Sequence, residues 1–200
     1  LALPETSQKA FELHPMEVMT FPLPQTQSGA LSLKAKDLIL KLLEGKSAVA
    51  MGPGLTTDPE TVSLIGELLP SINCPLILDA DAINAFENNI DWLDKLKSAI
   101  LTPHPKEMSR LIGISTQEIQ KNRINVTTEF AQKHSTILLL KGAPSLIGTP
   151  DGNIYINPTG NPGMATGGSG DVLTGIIAGL AAQNISLQNA VIAGAYIHGL

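Results

Sequence analysis

Short apolar runs, each closing on glycine, proline or a polar residue and each followed by a helical pattern, recur along this chain and leave few folds open. Ser47 to Met51 runs into Gly52-Pro53-Gly54, Pro75 to Asp79 ends on a carboxylate, Ser98 to Leu101 meets Thr102-Pro103, and Thr136 to Leu140 meets Lys141-Gly142. Between these predicted strands lie helical segments. Ala35, Leu38, Ile39, Leu42 and Leu43 return at the period of a helix with one buried face. Asp58 before Pro59 supplies an N-cap and a first-turn proline for a helix to Leu69. Shorter helices are predicted over 91–97 and 106–112, and Ser115 with Glu118 forms a capping box for one running to Lys133. Strand and helix in turn mean parallel strands joined by helical crossovers.

The alternation breaks once, where 145–149 and 153–156 flank Pro150-Asp151-Gly152, a hairpin signal. A glycine-rich stretch, Asn157 to Gly170, then leads into helices predicted from Asp171 to Gln183 and from Ser186 onward. The fold class read from this order is α/β: a doubly wound, mostly parallel sheet flanked by helices, with a short antiparallel hairpin. It is read as a single domain over 1–200, cut at both ends. In such sheets ligands gather at the carboxyl ends of the strands.

Composition narrows the function classes. Thirteen Lys and Arg against eighteen Asp and Glu leave a net charge of -5, and the basic residues form no run. A nucleic-acid surface needs clustered cations to neutralise phosphates, so none is expected. Cys74 is the single cysteine, which excludes a disulfide framework and suits a reducing, cytoplasmic setting. From Val172 to Leu200 there is no Asp, Glu, Lys or Arg, yet Gln183, Asn184, Ser186, Gln188 and Asn189 split the segment. Two buried helices are expected there, not a membrane span, which needs about 20 apolar residues. The opening nineteen residues have no signal-peptide pattern.

Three polar groups fall at predicted strand ends and are candidates for one cleft: 52–54, 102–107, and Lys141-Gly142 leading to the late glycine loop. The late loop is the strongest. Backbone N–H groups in a glycine-rich loop can approach an anion, and the helix that follows adds its positive end. The loop is not of the Walker type, since no G-x-x-x-x-G-K-[ST] occurs. Asp171 directly follows Gly167-Gly168-Ser169-Gly170, and such an Asp can be a cap, a partner of the helix dipole, or a base that takes a hydroxyl proton. A weak base suffices if the proton leaves late, as in a loose phosphoryl-transfer transition state. His104, between two prolines, is either a ligand contact or an exposed loop residue. Lys141 can meet a phosphate or snorkel to solvent. Asp79 and Asp81 can be read as a metal-binding pair, or Asp81 as a cap for the Ala82–Phe86 turn; no metal ligand is assigned.

The residues Asn161 to Gln183, NPGMATGGSGDVLTGIIAGLAAQ, closely resemble the signature of the ADP- or ATP-dependent NAD(P)H-hydrate dehydratases. AMGPGL at 50–55, LDADAIN at 78–84, LTPHPKEMSRLIG at 101–113 and LLKGAPSLI at 139–147 resemble that family's other motifs in the same order, so the likeness spans the chain from Met16 onward. It implies a ribokinase-like fold and repair of hydrated NADH or NADPH, (S)-NADHX or (S)-NADPHX, with ADP or ATP as donor, ADP favoured; magnesium is expected because a metal commonly neutralises phosphates during transfer. It also implies roles. Asp171 would be the catalytic base and a substrate contact, and Gly54 and His104 would face the hydrated dinucleotide. Lys141, Gly142, Ala143, Pro144 and Ser145 would line the adenine nucleotide, and Gly167, Gly168, Ser169 and Gly170 would hold the transferred phosphate. A homotetramer and an NAD(P)HX epimerase, fused or separate, are the partners it suggests.

Two other readings use the same residues. A small-molecule kinase of this fold, acting on a hydroxymethylpyrimidine or hydroxyethylthiazole alcohol, would share the anion loop and Asp171 but leave its product phosphorylated. A non-catalytic nucleotide-binding protein would share the cleft without turnover.

Overall fold

The alternating pattern is realised in the computed structural model of the chain, which describes residues 1–11 and 17–200; Met16 lies outside the described residues. A two-stranded parallel sheet, β1 (Ala2–Pro4) and β2 (Phe21–Leu23), sits with helix α1 (Glu5–Phe11) at the start. The main sheet has six strands: β3 (Val49–Met51), β4 (Leu76–Leu78), β5 (Ala99–Leu101), β6 (Ile137–Leu140), β7 (Leu146–Gly148) and β8 (Ile154–Ile156). β3 to β6 pair in parallel and β6 to β8 antiparallel, with β7 and β8 forming the expected hairpin.

The strands stand side by side in chain order. The winding therefore runs in one direction through these strands, and the two faces are covered by different parts of the chain. Along β4 to β6, alternate residues point to opposite faces, as the strand period requires. Leu76, Leu78, Ala99, Leu101, Leu138 and Leu140 join one core with α3 (Pro59–Leu68), α4 (Ala80–Asn84), α5 (Pro105–Ile112), α6 (Thr116–Lys121) and α7 (Arg123–Lys133). Ile77, Ile100, Ile137 and Leu139 join a second core with α8 (Ser169–Ala182) and α9 (Leu187–His198). α2 (Lys36–Leu43) packs on α3 in a third cluster with Leu23 and Leu31.

Local signals hold where they are self-contained. The Asp58 carboxylate accepts from the Glu60 N–H with Pro59 in the first turn, and Ser115 and Glu118 make both halves of the capping box. Two expectations change. The helix predicted to run to Lys133 divides at Asn122, whose backbone (φ −126°, ψ 34°) leaves the helical region. The division turns Arg123 toward the end of β6, where its guanidinium meets backbone carbonyls. The segment 91–97 forms a 3-10 turn, Ile90–Lys95, in place of an α-helix. The charge-free segment 172–200 makes the two expected helices, and no helix among the described residues is long and apolar enough to cross a membrane.

Candidate active site

Hydrogen bonding between neighbouring chains continues past the strand ends and lines up the polar residues. The N–H of Asp79 donates to the Met51 carbonyl (3.0 Å), that of Thr102 to Leu78 (3.0 Å) and that of Lys141 to Pro103 (2.9 Å). Gly52, Asp79, Thr102-Pro103 and Lys141 thus form one row along the carboxyl edge of the sheet, as the sequence suggests.

At the centre of that row is a residue that sequence reasoning weighed only as half of a metal pair. Asp79 is 1% exposed, and its Oδ1 lies 2.7 Å from Lys141 Nζ. Its Oδ2 accepts from the buried Thr174 hydroxyl on α8 (2.8 Å). A buried carboxylate requires such compensation, since an unpaired charge at this depth is costly. Asp81 is directed elsewhere, accepting from the Thr56 N–H (2.9 Å) and from the Asn84 amide (3.2 Å). It lies inside the first turn of α4 and does not cap it, because the capping position belongs to Asp79. The two carboxylates are therefore engaged by different protein partners.

The chain approaches Asp79 most tightly at Gly52. A Cβ there would fall 1.7 Å from the Asp79 carbonyl oxygen, and φ is +142°, a conformation that L side chains rarely adopt. Gly54, singled out from sequence, is open, with nothing within 4 Å of a Cβ. A Gly52→Ala variant is expected to lose more than about 2 kcal/mol through overpacking and backbone strain. Urea unfolding checks this, with Gly54→Ala as the comparison that carries backbone strain (φ +73°) but has no atom within 4 Å of its Cβ.

The glycine loop enters α8 beside this centre. Gly168 is at the N-cap, and the caps offer no side-chain hydrogen bond. Among the described residues, the N–H groups of Gly167, Gly168, Gly170 and Asp171 find no backbone acceptor outside the helix. Unpaired donors at the positive end of a helix constitute an anion site. A Cβ on Gly170 would lie 3.3 Å from Lys141 Nζ and 3.7 Å from Asp79 Oδ2, so an anion at this loop meets the ammonium as well. Lys141 neither snorkels nor stands free: its side chain is 20% exposed and paired with Asp79. Asp171 is exposed at the third position of α8, and its carboxylate makes no hydrogen bond or ion pair with any described residue. It is not the cap that its position allows.

The remaining site residues are held by their own loops. Gly142, Ala143 and Pro144 are exposed and Ser145 half-buried; the Gly142 N–H donates to Ser145 Oγ (3.3 Å). Asn157 and Thr159 tie the glycine loop to the Ala195 and Tyr196 carbonyls of α9, and Ser169 Oγ lies 3.3 Å from His198 Nε2. His104 is spoken for in part. Its Nδ1 accepts from the Lys106 and Glu107 N–H groups (3.1 Å each), and Glu107 Oε2 accepts from the His104 N–H (2.8 Å), a capping box at the start of α5. Nδ1 as acceptor leaves the neutral ring's proton on Nε2, which faces Glu107 Oε1 at 3.2 Å. Only the half-exposed ring surface is left for a ligand. Among the described residues no group of three or more His, Cys, Asp or Glu could hold a metal ion.

Comparison with known proteins adds the following. The family model described as NAD(P)H-hydrate dehydratase matches residues 2–200. The bifunctional NAD(P)H-hydrate repair enzyme Nnr of Moorella thermoacetica is 48% identical over 199 residues, covering 99% of this chain and 38% of that protein. The structure of the ADP/ATP-dependent NAD(P)H-hydrate dehydratase from Bacillus subtilis, co-crystallised with ATP and Mg2+, superposes with a TM-score of 0.77 at 30% identity, covering 98% of this chain and 66% of that one. A ribokinase-like superfamily protein from Enterococcus faecalis gives a TM-score of 0.80 at 26% identity over 99% of this chain and 66% of that one. The fold is ribokinase-like, and the chain spans about two fifths of the length of the Moorella enzyme.

Proposed function

This chain belongs to the NAD(P)H-hydrate dehydratase family, and from that premise we propose that it returns (S)-NADHX or (S)-NADPHX to NADH or NADPH at the expense of ADP or ATP. The observation that carries the reading is the unpaired Asp171 carboxylate beside free loop N–H groups and the Lys141 ammonium. A base, an anion cradle and a cation converge at one strand edge, as phosphoryl transfer requires.

In this reading the hydroxyl on the hydrated nicotinamide ring attacks the terminal phosphorus, its proton passes to an Asp171 oxygen, and AMP or ADP leaves. Gly167, Gly168 and Gly170 hold the transferred phosphoryl group by their N–H groups, Ser169, whose N–H donates to the Thr166 carbonyl, stands beside them, and Lys141 offsets its charge. The phosphorylated ring carbon then loses inorganic phosphate as the ring nitrogen's lone pair moves in. Loss of a proton from the neighbouring carbon restores the double bond. Hydroxide would leave poorly from the same carbon; phosphate leaves well. Lys141, Gly142, Ala143, Pro144 and Ser145 line the nucleotide, and Gly54 with the exposed surface of His104 faces the dinucleotide.

Magnesium is proposed to arrive with the nucleotide, where it neutralises phosphate charge during transfer. The donor set fits an ion held chiefly by phosphates and water, because both Asp79 oxygens are engaged and no protein cage is present among the described residues. The half-buried free thiol of Cys74 suits a reducing, cytoplasmic setting. Exposed Val172, Tyr196 and Ile197 on α8 and α9 suit burial in a homotetramer. An NAD(P)HX epimerase, fused or separate, is the proposed partner activity.

The test mixes the protein with NADHX, magnesium and either ADP or ATP, and follows the reduced nicotinamide absorbance together with free phosphate. Return of the band with phosphate released in equal amount is the expected result, and it names the donor. A phosphorylated product that keeps its phosphate, or no turnover with either nucleotide, would overturn the reading.

A further inference from the structure

We propose that Arg123 is the positioning residue of the nucleotide loop, acting from behind the loop on the direction of its backbone; the inference rests on the reading that residues 141–145 line the nucleotide. From the first position of α7 the guanidinium reaches the connection between β6 and β7. Its Nη2 donates to the carbonyls of Leu140 (3.2 Å), Lys141 (3.4 Å) and Pro144 (2.8 Å), and its Nη1 to Gln120 Oε1 (3.0 Å). Three carbonyls at the root and far side of one short loop are thus drawn to a single cation. Nη1 also reaches the Lys141 carbonyl (3.5 Å), so the two-nitrogen fork spans Gln120 and the loop carbonyls together, a reach that the single nitrogen of a lysine does not match.

Gly142 records how close the contact is. A Cβ there would lie 2.6 Å from both terminal guanidinium nitrogens, so the loop backbone packs directly on the arginine. Carbonyls turned back toward Arg123 leave the Gly142 to Ser145 surface for the site. Lys141 is consequently fixed twice, its carbonyl by Arg123 and its ammonium by Asp79. No carboxylate among the described residues forms an ion pair with Arg123; its charge is met by carbonyl dipoles. A side chain serving stability alone would pair equally well with a surface carboxylate. Here both terminal guanidinium nitrogens are directed at the loop and at Gln120, while Nε is buried without a hydrogen-bond partner.

A cavity of about 370 Å³ adjoins the guanidinium, lined among others by Gln120, Asn122, Pro144, Leu146 and Ile156. Truncation of Arg123 opens onto this space, so a free guanidinium ion can enter and replace the lost group. Rescue confined to nucleotide affinity, with kcat unmoved, is a readout that a purely structural role would not give.

The experiment compares the wild type with Arg123→Ala and Arg123→Lys. Binding of ADP and ATP is measured by calorimetry, kcat and both KM values in the dehydration assay, and the alanine variant is repeated with millimolar guanidinium and with methylammonium. The nucleotide Kd and KM are expected to rise about tenfold in both variants, equivalent to about 1.4 kcal/mol. The kcat and the KM for the hydrated dinucleotide should stay within about threefold. Guanidinium, not methylammonium, should restore nucleotide affinity in the alanine variant. Unchanged nucleotide affinity beside a lowered Tm, or a parallel fall in every constant without guanidinium rescue, would overturn the positioning role. A wild type that binds no adenine nucleotide would instead overturn the functional reading, and this inference with it. If the alanine variant fails to fold, the lysine variant carries the comparison of nucleotide Kd and KM against kcat, and unchanged nucleotide affinity in it overturns the positioning role.

Discussion

An Asp171→Asn variant is expected to lose about 10²- to 10⁴-fold in kcat, the span that a positioned general base contributes. The replacement keeps the shape of the side chain and removes its capacity to hold a proton. No described residue donates to or pairs with the Asp171 carboxylate, so little else should change. The loss of a negative charge in the first turn of α8 costs about 0.3–1 kcal/mol of helix-dipole stabilisation. Turnover should therefore collapse while the urea midpoint barely moves. Nucleotide affinity should hold, because the loop N–H groups and Lys141 remain. A folded variant with normal turnover would remove Asp171 as the base, and a variant with intact kcat but weakened dinucleotide binding would reduce it to a contact.

Lys141→Met is the change expected to cost most in stability, about 3–5 kcal/mol, because it strands a buried charge. Asp79 would keep only the Thr174 hydroxyl at a site where it is 1% exposed. The reverse change should be milder. Asp79→Asn leaves a lysine that is 20% exposed and able to reach water. The double variant Asp79→Asn with Lys141→Met should recover most of what Lys141→Met loses, since neither charge is then left alone. A urea-unfolding cycle over the four proteins measures this coupling. Additive losses would show that the pair is not coupled in the folded chain, and a Lys141→Met protein within about 1 kcal/mol of the wild type would contradict the buried-charge account. Activity does not follow stability here: both proteins lacking Lys141 should remain poor catalysts, because the cation beside the anion loop is gone.

Much of the fold is legible in the chain because its signals are local. The caps at Asp58 and Ser115, the turn at Pro150-Asp151-Gly152 and the apolar runs of β3 to β6 each involve residues within a few positions of one another. His104 carried a local signal as well, a proline after it and Glu107 three residues on, but imidazole is an uncommon cap and the pattern reads first as a presented ligand group. What sequence reasoning missed depends on distance. Asp79 meets Lys141 across 62 positions and Thr174 across 95, and no periodicity announces such a pairing. The division of the helix at Asn122 is of the same kind, since its reason is the reach of Arg123 to carbonyls up to 21 positions ahead. At the turn after β3, sequence reasoning named Gly54 for the ligand and gave Gly52 no separate role; the backbone of Asp79, brought close only by strand pairing, is what makes Gly52 obligatory.

The Asp79 carboxylate holds the root of one site loop through Lys141 and the helix that follows the other through Thr174. Insertions and deletions are consequently not equivalent along this chain. Adding one residue within β6 would send Lys141 to the opposite face of the sheet and bring an apolar neighbour against a charged group. One residue added between Gly170 and Thr174 would rotate the hydroxyl about 100° around the helix axis, away from its acceptor. Between those anchors the chain has slack at the exposed hairpin turn around Asp151 and in the stretch 161–166, beyond the ties of Thr159 and Gly160 to the end of α9. Relatives that change length while retaining both ends of this junction should do so in those two places, and a change elsewhere in 137–174 should coincide with replacement of Asp79 itself.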